Sequence, residues 1–145
     1  MKDREHQIAV AFLNWWAYQA KTRSLDHRLL FAIPNGGHRA ISVARKLKAE
    51  GVRAGIPDYF LAVPTGGFSG LFIELKSETG YASDAQQEML NLFLAQGFKV
   101  ALVKGIIEAM EVVVSYLGDP GTPGQPMSKS PRRSPNLRRY PNIHQ

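Results

Sequence analysis

The 145-residue sequence contains no cysteine, which excludes disulfide bonds and thiolate metal sites. It also lacks long hydrophobic runs: segments such as VALV and VVV are far too short to cross a bilayer, so no membrane partner is expected. The first residues, MKDREHQ, are too polar for a secretory signal, and no internal repeat is visible. These absences predict a soluble cytoplasmic protein that is not secreted.

Hydrophobic residues make up 44% of the sequence and aromatic residues 10%, enough to bury the core of one domain. The net charge of +6 is unevenly divided. Residues 1–117 hold 13 basic and 11 acidic residues, a net +2, whereas residues 118–145 hold 5 and 1, a net +4. The charge is therefore only modest support for a polyanion partner of the domain itself.

Hydrophobic periodicity predicts an α/β domain in which helices cover a mixed sheet. The predicted helices run from Glu5 to Lys21, Arg39 to Glu50, Ser83 to Gly97 and Ile106 to Leu117, and the predicted strands from Leu29 to Ile33, Asp58 to Val63, Leu71 to Lys76 and Phe98 to Val103. Residues 118–145 contain six of the nine prolines and little to bury. The domain is thus expected to span residues 1–117, and the basic tail to be disordered.

The first two predicted helices each have an apolar stripe that indicates which side is buried. In the first helix the stripe is Ile8, Phe12, Trp15 and Tyr18, with Glu5 on the same side and Trp16 undecided. In the second it is Ile41, Ala44 and Leu47, and the outer side is basic.

Three charged residues lie at the ends of two apolar strands, Asp58 in the first and Glu74 and Lys76 in the second. Alternation puts Glu74 and Lys76 on one face of their strand. In an antiparallel hairpin with Val63 opposite Leu71, Asp58 lies opposite Lys76 and diagonal to Glu74. The two carboxylates would then be close enough to hold one cation.

An ion-pair cluster on a solvated sheet face would produce a similar pattern. Three details favour a built site instead: the carboxylates outnumber the lysine, Pro57 fixes the start of the first strand, and a turn at Gly55 precedes it.

The sequence resembles a known nuclease family at five ordered segments between Glu5 and Leu117. GIPDYFL followed by GLFIELK is similar to the pattern of the PD-(D/E)XK nucleases, which implies a restriction-endonuclease-like fold. EHQ, FAIPNGGHR, KAEGVRAGIPD and SDAQQ further resemble the stand-alone VRR-NUC branch found in phages and prophages. If the protein is phage-encoded, its location would be the cytoplasm of the bacterial host.

This resemblance implies a role for each matching residue. Asp58 and Glu74 are implied to be metal ligands together with the backbone carbonyl of Leu75, and Lys76 to activate water and stabilise charge on the phosphate. Gln86 resembles a glutamine that lies beside such sites, although S-x-x-Q is also a capping box for the helix that begins there. Glu5 resembles an acidic residue of the first helix, where it can equally complement the positive helix end.

A divalent cation suits this chemistry because it neutralises the phosphate and lowers the pKa of a bound water. Oxygen ligands favour Mg²⁺, for which Mn²⁺ can substitute.

The candidate DNA contacts are basic or polar and lie near the second helix. They are Asn35, His38, Arg39, Arg45, Lys46, Lys48 and Arg53. A plain turn and a solvated helix face would explain the same residues, and none of the four histidines has metal-ligand spacing.

The sequence as a whole predicts a metal-dependent endonuclease that hydrolyses DNA phosphodiester bonds. By analogy with the family, the substrate would be branched or junction DNA and the active form a homodimer. Two alternatives stay open: a DNA-binding module without catalysis, and a nuclease directed at RNA.

Overall fold

The computed structural model describes residues 2–34 and 40–118 of the chain, with side chains from Arg4 onward. The predicted order of elements is confirmed, and a short 3-10 helix, His27–Leu29, precedes the first strand. The helices are α1 (Lys2–Thr22), α2 (Ile41–Ala49), α3 (Asp84–Ala95) and α4 (Gly105–Leu117), and the strands are β1 (Leu30–Ala32), β2 (Tyr59–Leu61), β3 (Leu71–Lys76) and β4 (Lys99–Lys104).

The strands form one mixed sheet in the order β1-β2-β3-β4. The pairs β1–β2 and β2–β3 are antiparallel, whereas β3 and β4 are parallel and joined through α3. The end of β1, the start of β2 and the ends of β3 and β4 consequently lie along one edge of the sheet, an edge formed by strand ends and not by an outer strand. This mixed α/β architecture confirms the predicted fold class.

The main core lies between one face of the sheet and helices α1 and α4. The buried residues of α1 are Phe12, Trp16 and Ala20, four residues apart, so Phe12 of the predicted stripe is confirmed, but the buried face is rotated away from Tyr18. Tyr18 is 67% exposed. Trp15 is half-buried and stacks on Phe12 with ring centroids 6.0 Å apart. Trp16 is buried, and its indole N–H donates to the His27 carbonyl at 2.7 Å, so burial leaves no donor of this side chain unpaired.

The opposite face of the sheet carries a cluster of phenylalanine rings beneath α3. Phe72 stacks on Phe93 of α3 with centroids 4.0 Å apart, and it contacts Phe60 at 4.4 Å and Phe98 at 5.3 Å. These contacts hold α3 against β3, which brings the first turn of α3 next to the charged end of that strand.

The predicted register of β2 and β3 is wrong by two residues. Leu61, not Val63, is opposite Leu71, because residues 62–70 form a longer connection with its own Thr65–Phe68 bridge. Continuing this register places Asp58 directly opposite Glu74. A shift of two residues preserves the faces of a strand, so the charged side chains still share one side.

The predicted inner face of α2 is also wrong. No residue of α2 is buried: Ile41 is 74% exposed, Ala44 is exposed and Leu47 is half-buried. A periodic stripe shows which side of a helix is apolar but does not supply a partner for it.

Some predictions fall outside the described residues, namely those for Asn35, His38, Arg39 and the basic tail after residue 118. Within the described part of the chain, no helix is long and apolar enough to cross a membrane.

Candidate active site

A cleft of about 750 Å³ opens at the edge of the sheet where β1 and β3 end and β2 begins. Asp58, Leu75 and Lys76 line it from the sheet, and Arg4 and Glu5 line it from the first turns of α1. The topology thus brings together residues that are up to about 70 positions apart in the sequence.

Asp58, just before β2, is hydrogen-bonded to the chain on both sides, at the end of β1 and in β3. Its backbone carbonyl accepts a hydrogen bond from the Ile33 N–H at 2.7 Å, and its Oδ2 accepts one from the Leu75 N–H at 2.8 Å. Burial raises the pKa of the Asp58 carboxyl, while the Leu75 hydrogen bond and the Lys76 ammonium act in the opposite direction and Glu5 adds to the increase.

Glu74 directly precedes the cleft-lining Leu75 in β3 and is itself only 2% exposed. Its Oε1 accepts hydrogen bonds from Gln86 Nε2 at 2.6 Å and from Lys76 Nζ at 2.9 Å. Its Oε2 is buried and has no hydrogen-bond partner among the described residues. Burial raises the pKa of Glu74; the bond from Lys76 opposes the increase, and repulsion from Asp58 adds to it. A buried carboxylate oxygen without a partner is costly unless a cation reaches it.

Gln86 combines the two roles that the sequence left open. Its Oε1 accepts from the Ser83 N–H at 2.9 Å, which completes a capping box at the start of α3, and also from Lys76 Nζ at 2.9 Å. Its Nε2 donates to Glu74. Because a carbonyl oxygen accepts two hydrogen bonds, the cap and the contact with the charged pair coexist.

Gly55 holds the segment before Asp58 against α3. Its φ is +80°, and a Cβ at this position would lie 2.3 Å from the Ala85 carbonyl oxygen. Only glycine permits this approach, which places the start of β2 next to the helix turn that carries Gln86. The fully buried Pro57 then leads into Asp58.

The donor set fits a hard divalent cation. The carboxyls of Asp58 and Glu74 both have a raised pKa, and one buried oxygen of Glu74 has no partner among the described residues. Lys76 supplies one positive charge for these two acidic groups. Among the residues that the structure describes, no three histidine or acidic side chains form a metal cluster. Mg²⁺ does not require one, since it binds through one or two carboxylates and keeps several waters.

The remaining predicted residues are not at the centre of this site. Glu5 is exposed and lines the cleft. Arg45, Lys46, Lys48 and Arg53 are exposed on α2 and the turn after it; Lys46 lies 3.9 Å from Glu50, and Arg53 reaches the Lys48 carbonyl at 3.4 Å.

Sequence reasoning missed Arg4 and the segment from Ser77 to Thr79, which also line the cleft. The position of this segment directly after the charged end of β3 is a signal that could have identified it.

The fold and this site define the class of the protein: it has a nuclease-like α/β fold with a carboxylate-containing cleft at one edge of a mixed sheet. The family model of the VRR-NUC domain matches residues 3–106, and the chain belongs to that family. A solved structure described as a VRR_NUC domain protein is similar at a TM-score of 0.63 and 25% identity, over 78% of this chain and 87% of that chain. No curated protein matches. The protein is thus a nuclease-type domain that processes DNA.

Proposed function

We propose that the domain hydrolyses DNA phosphodiester bonds with a divalent cation, Mg²⁺ or in its place Mn²⁺. Asp58, Glu74 and the Leu75 carbonyl would hold the ion. The observation that carries this proposal is the buried, unpartnered Oε2 of Glu74, whose carboxyl is close enough to Asp58 for the two to repel, while Asp58 itself lines the cleft. When bound, the cation supplies Lewis-acid stabilisation of the phosphate and lowers the pKa of a bound water.

The protein groups around the carboxylates have separate tasks in this proposal. Lys76 is 19% exposed and lines the cleft, so its ammonium can stabilise the negative charge that develops on the phosphate. Gln86 is a positioning residue, since it contacts both Glu74 and Lys76 and is itself fixed by the Ser83 cap. Glu5 adds negative charge on the α1 side of the cleft.

DNA would reach the cleft along the basic surface of α2. Residues 41–53 carry a net charge of +3, whereas residues 1–117 together carry only +2. Two residues after this basic segment, Gly55 lies against Ala85 and Gln86, so the C-terminal end of the segment is next to the site. A branched substrate and a homodimer are part of the proposal by analogy with the family alone.

The test is a panel of flap, fork, four-way-junction and linear DNA, with a matched RNA, incubated with Mg²⁺ or with EDTA. We expect cleavage of DNA that requires Mg²⁺ and falls at least about 100-fold in Asp58→Ala. The matched control is Glu111→Ala, which removes an exposed carboxylate of α4. Equal cleavage by Asp58→Ala and wild type would overturn the assigned site. Binding without Mg²⁺-dependent cleavage would overturn the nuclease proposal in favour of a non-catalytic DNA-binding module. Cleavage of RNA alone would overturn DNA as the substrate in favour of an RNA-directed nuclease.

A further inference from the structure

An exposed aromatic side chain follows, two residues later, the segment Ser77 to Thr79 that lines the cleft. Tyr81 is 83% exposed, although a tyrosine ring ordinarily buries its apolar body. It belongs to the connection between β3 and α3, whose residues Ser77, Glu78 and Thr79 line the cleft. An aromatic ring left in solvent beside the site of a DNA-processing domain is available to stack on a base.

Lys104 holds this ring from one side. Its ammonium lies 4.9 Å from the ring centroid of Tyr81, a cation–π contact that the ring makes while the residue stays 83% exposed. Lys104 is the last residue of β4, and its register partner on β3 is Lys76. The contact between Lys104 and Tyr81 is therefore one strand away from the charged end of β3. Within the described residues Lys104 Nζ makes no ion pair, and its charge is therefore not used by a carboxylate of the fold.

Both residues have fixed backbones. The Lys104 N–H donates to Glu108 Oε2 at 2.7 Å at the start of α4. Tyr81 lies between the Gly80 turn, where the Gly80 N–H donates to the Ser77 carbonyl at 2.9 Å, and the Ser83 cap of α3. These hydrogen bonds restrain the backbone on both sides of Tyr81, which reduces the backbone entropy lost when a base stacks on the ring.

We propose that Tyr81 and Lys104 form a nucleotide subsite that takes an unpaired base next to the cleft. The exposed ring of Tyr81 stacks the base, and the Lys104 ammonium contacts the adjoining phosphate. The subsite rests on the proposed function, because that function identifies the ligand as DNA. It adds the substrate class: DNA with unpaired nucleotides beside the cleavage position. A base within a duplex is already stacked on both sides and gains nothing from the ring.

Binding without catalysis tests the subsite. Full-length protein in EDTA is titrated into a 2-aminopurine-labelled single strand, a fork and a fully paired duplex, with anisotropy and 2-aminopurine quenching as readouts. We expect Tyr81→Ala to weaken single-strand and fork binding roughly 10-fold, to leave duplex binding within about 2-fold, and to abolish the quenching. Tyr81→Phe should keep both signals, since stacking needs the ring and not the hydroxyl.

Tyr18→Ala is the matched control. Tyr18 is also an exposed tyrosine, but it lies nine residues after Ala9, the last α1 residue that lines the cleft, which is about 14 Å along the helix axis. This variant should bind all three DNAs as wild type does. Lys104→Gln should weaken single-strand binding and lower its salt slope by about 0.7, as expected for one lost phosphate contact.

Three results would overturn the subsite: wild-type binding by Tyr81→Ala, equal losses on duplex and single strand, or a Tyr81→Phe variant that behaves like Tyr81→Ala. An unchanged salt slope in Lys104→Gln would overturn the phosphate contact. If wild type cleaves DNA with Mg²⁺ while these results appear, only the subsite fails. If wild type binds none of the DNAs, the proposed function itself fails.

Discussion

At the level of single residues, the fold holds two carboxylates in positions that do not favour their charge. Burial raises the pKa of both Asp58 and Glu74, and the Lys76 ammonium compensates only in part. Such an arrangement costs stability in the absence of a cation, and strain of this kind is concentrated at functional sites. The cost can be measured separately from any activity.

Asp58→Asn should stabilise the protein at neutral pH in EDTA. A carboxyl whose folded pKa is raised contributes stability below its unfolded pKa, and this contribution is lost as the pH rises through the folded pKa. The asparagine has no charge to bury, and its side-chain oxygen can still accept from the Leu75 N–H. Thermal unfolding should give a higher Tm for the variant at pH 7.5 and similar Tm values near pH 3.5, where both side chains are neutral.

Asp26→Asn provides a control of opposite sign. Hydrogen bonds from Arg28 lower the pKa of Asp26, so this carboxylate stabilises the fold above its unfolded pKa and the contribution disappears as the pH falls. Its variant should melt no higher than wild type at pH 7.5. A lower Tm for Asp58→Asn than for wild type at pH 7.5 in EDTA would contradict the assignment of Asp58 as a group buried against its charge.

At the level of elements, the site depends on how the start of β2 meets the start of α3. The sheet edge presents Asp58 and Glu74, the capping box orients Gln86, and the close approach of Gly55 to Ala85 sets the distance between them. The glycine is therefore a geometric requirement of the site and not only a turn residue.

Gly55→Ala should be more destabilising than Gly51→Ala. Both glycines have positive φ, +80° and +102°, but a Cβ at Gly51 meets nothing within 4 Å whereas one at Gly55 meets backbone. We expect Gly51→Ala to cost about 1–2 kcal/mol from backbone strain, and Gly55→Ala to cost a further 1–3 kcal/mol, roughly, from the clash. Urea unfolding measures the free energy of unfolding of both variants.

The variants Gly55→Ala and Gly51→Ala also distinguish an effect on stability from an effect on cleavage. Gly55→Ala should also reduce Mg²⁺-dependent cleavage, because the clash displaces the backbone of Ala85 and Gln86. Gly51→Ala should leave cleavage at the wild-type level when both are assayed well below their Tm. Equal losses of stability in the two variants would show that the contact at Gly55 does not constrain α3.

At the level of the whole molecule, the positive charge of the domain is concentrated on one segment. Residues 41–53 carry a net +3 and the rest of residues 1–117 a net −1, so electrostatic attraction to DNA has one main source within the domain. No residue of α2 is buried, and its basic side chains are exposed to solvent, where phosphates can reach them; the contacts of Lys46 with Glu50 and of Arg53 with the Lys48 carbonyl are long, at 3.9 and 3.4 Å.

Combined replacement of Arg45, Lys46 and Lys48 by glutamine should weaken DNA binding and its salt dependence. Each lost phosphate contact lowers the slope of log K against log salt by about 0.9 on duplex DNA, so a decrease of up to about 2.7 is expected. Lys99→Gln is the control, because Lys99 is at the opposite end of β4 from Lys104 and lies 5.4 Å from the Phe68 ring. Anisotropy titrations at several salt concentrations give the slopes; an unchanged slope in the triple variant would exclude α2 as a DNA contact.

Sequence reasoning succeeded where the determinants are local. The order of elements, the Ser83 cap and the strand face shared by Glu74 and Lys76 follow from periodicity and from short-range hydrogen bonding. It failed where a distant partner decides. The register of β2 and β3 depends on the shape of their connection, and the burial of Trp16 instead of Tyr18 depends on the angle at which α1 meets the sheet.

The sequence by itself determined which residue types this protein has available for chemistry and on which elements they lie, because patterns of period 2 and 3.6 encode local geometry. Only the tertiary structure decided that Asp58 is opposite Glu74, that Gln86 links Glu74 to Lys76, that one oxygen of Glu74 is left without a partner, and that Lys104 lies against Tyr81. These contacts join residues from different elements, and their geometry is set by how the elements pack, which no local pattern contains.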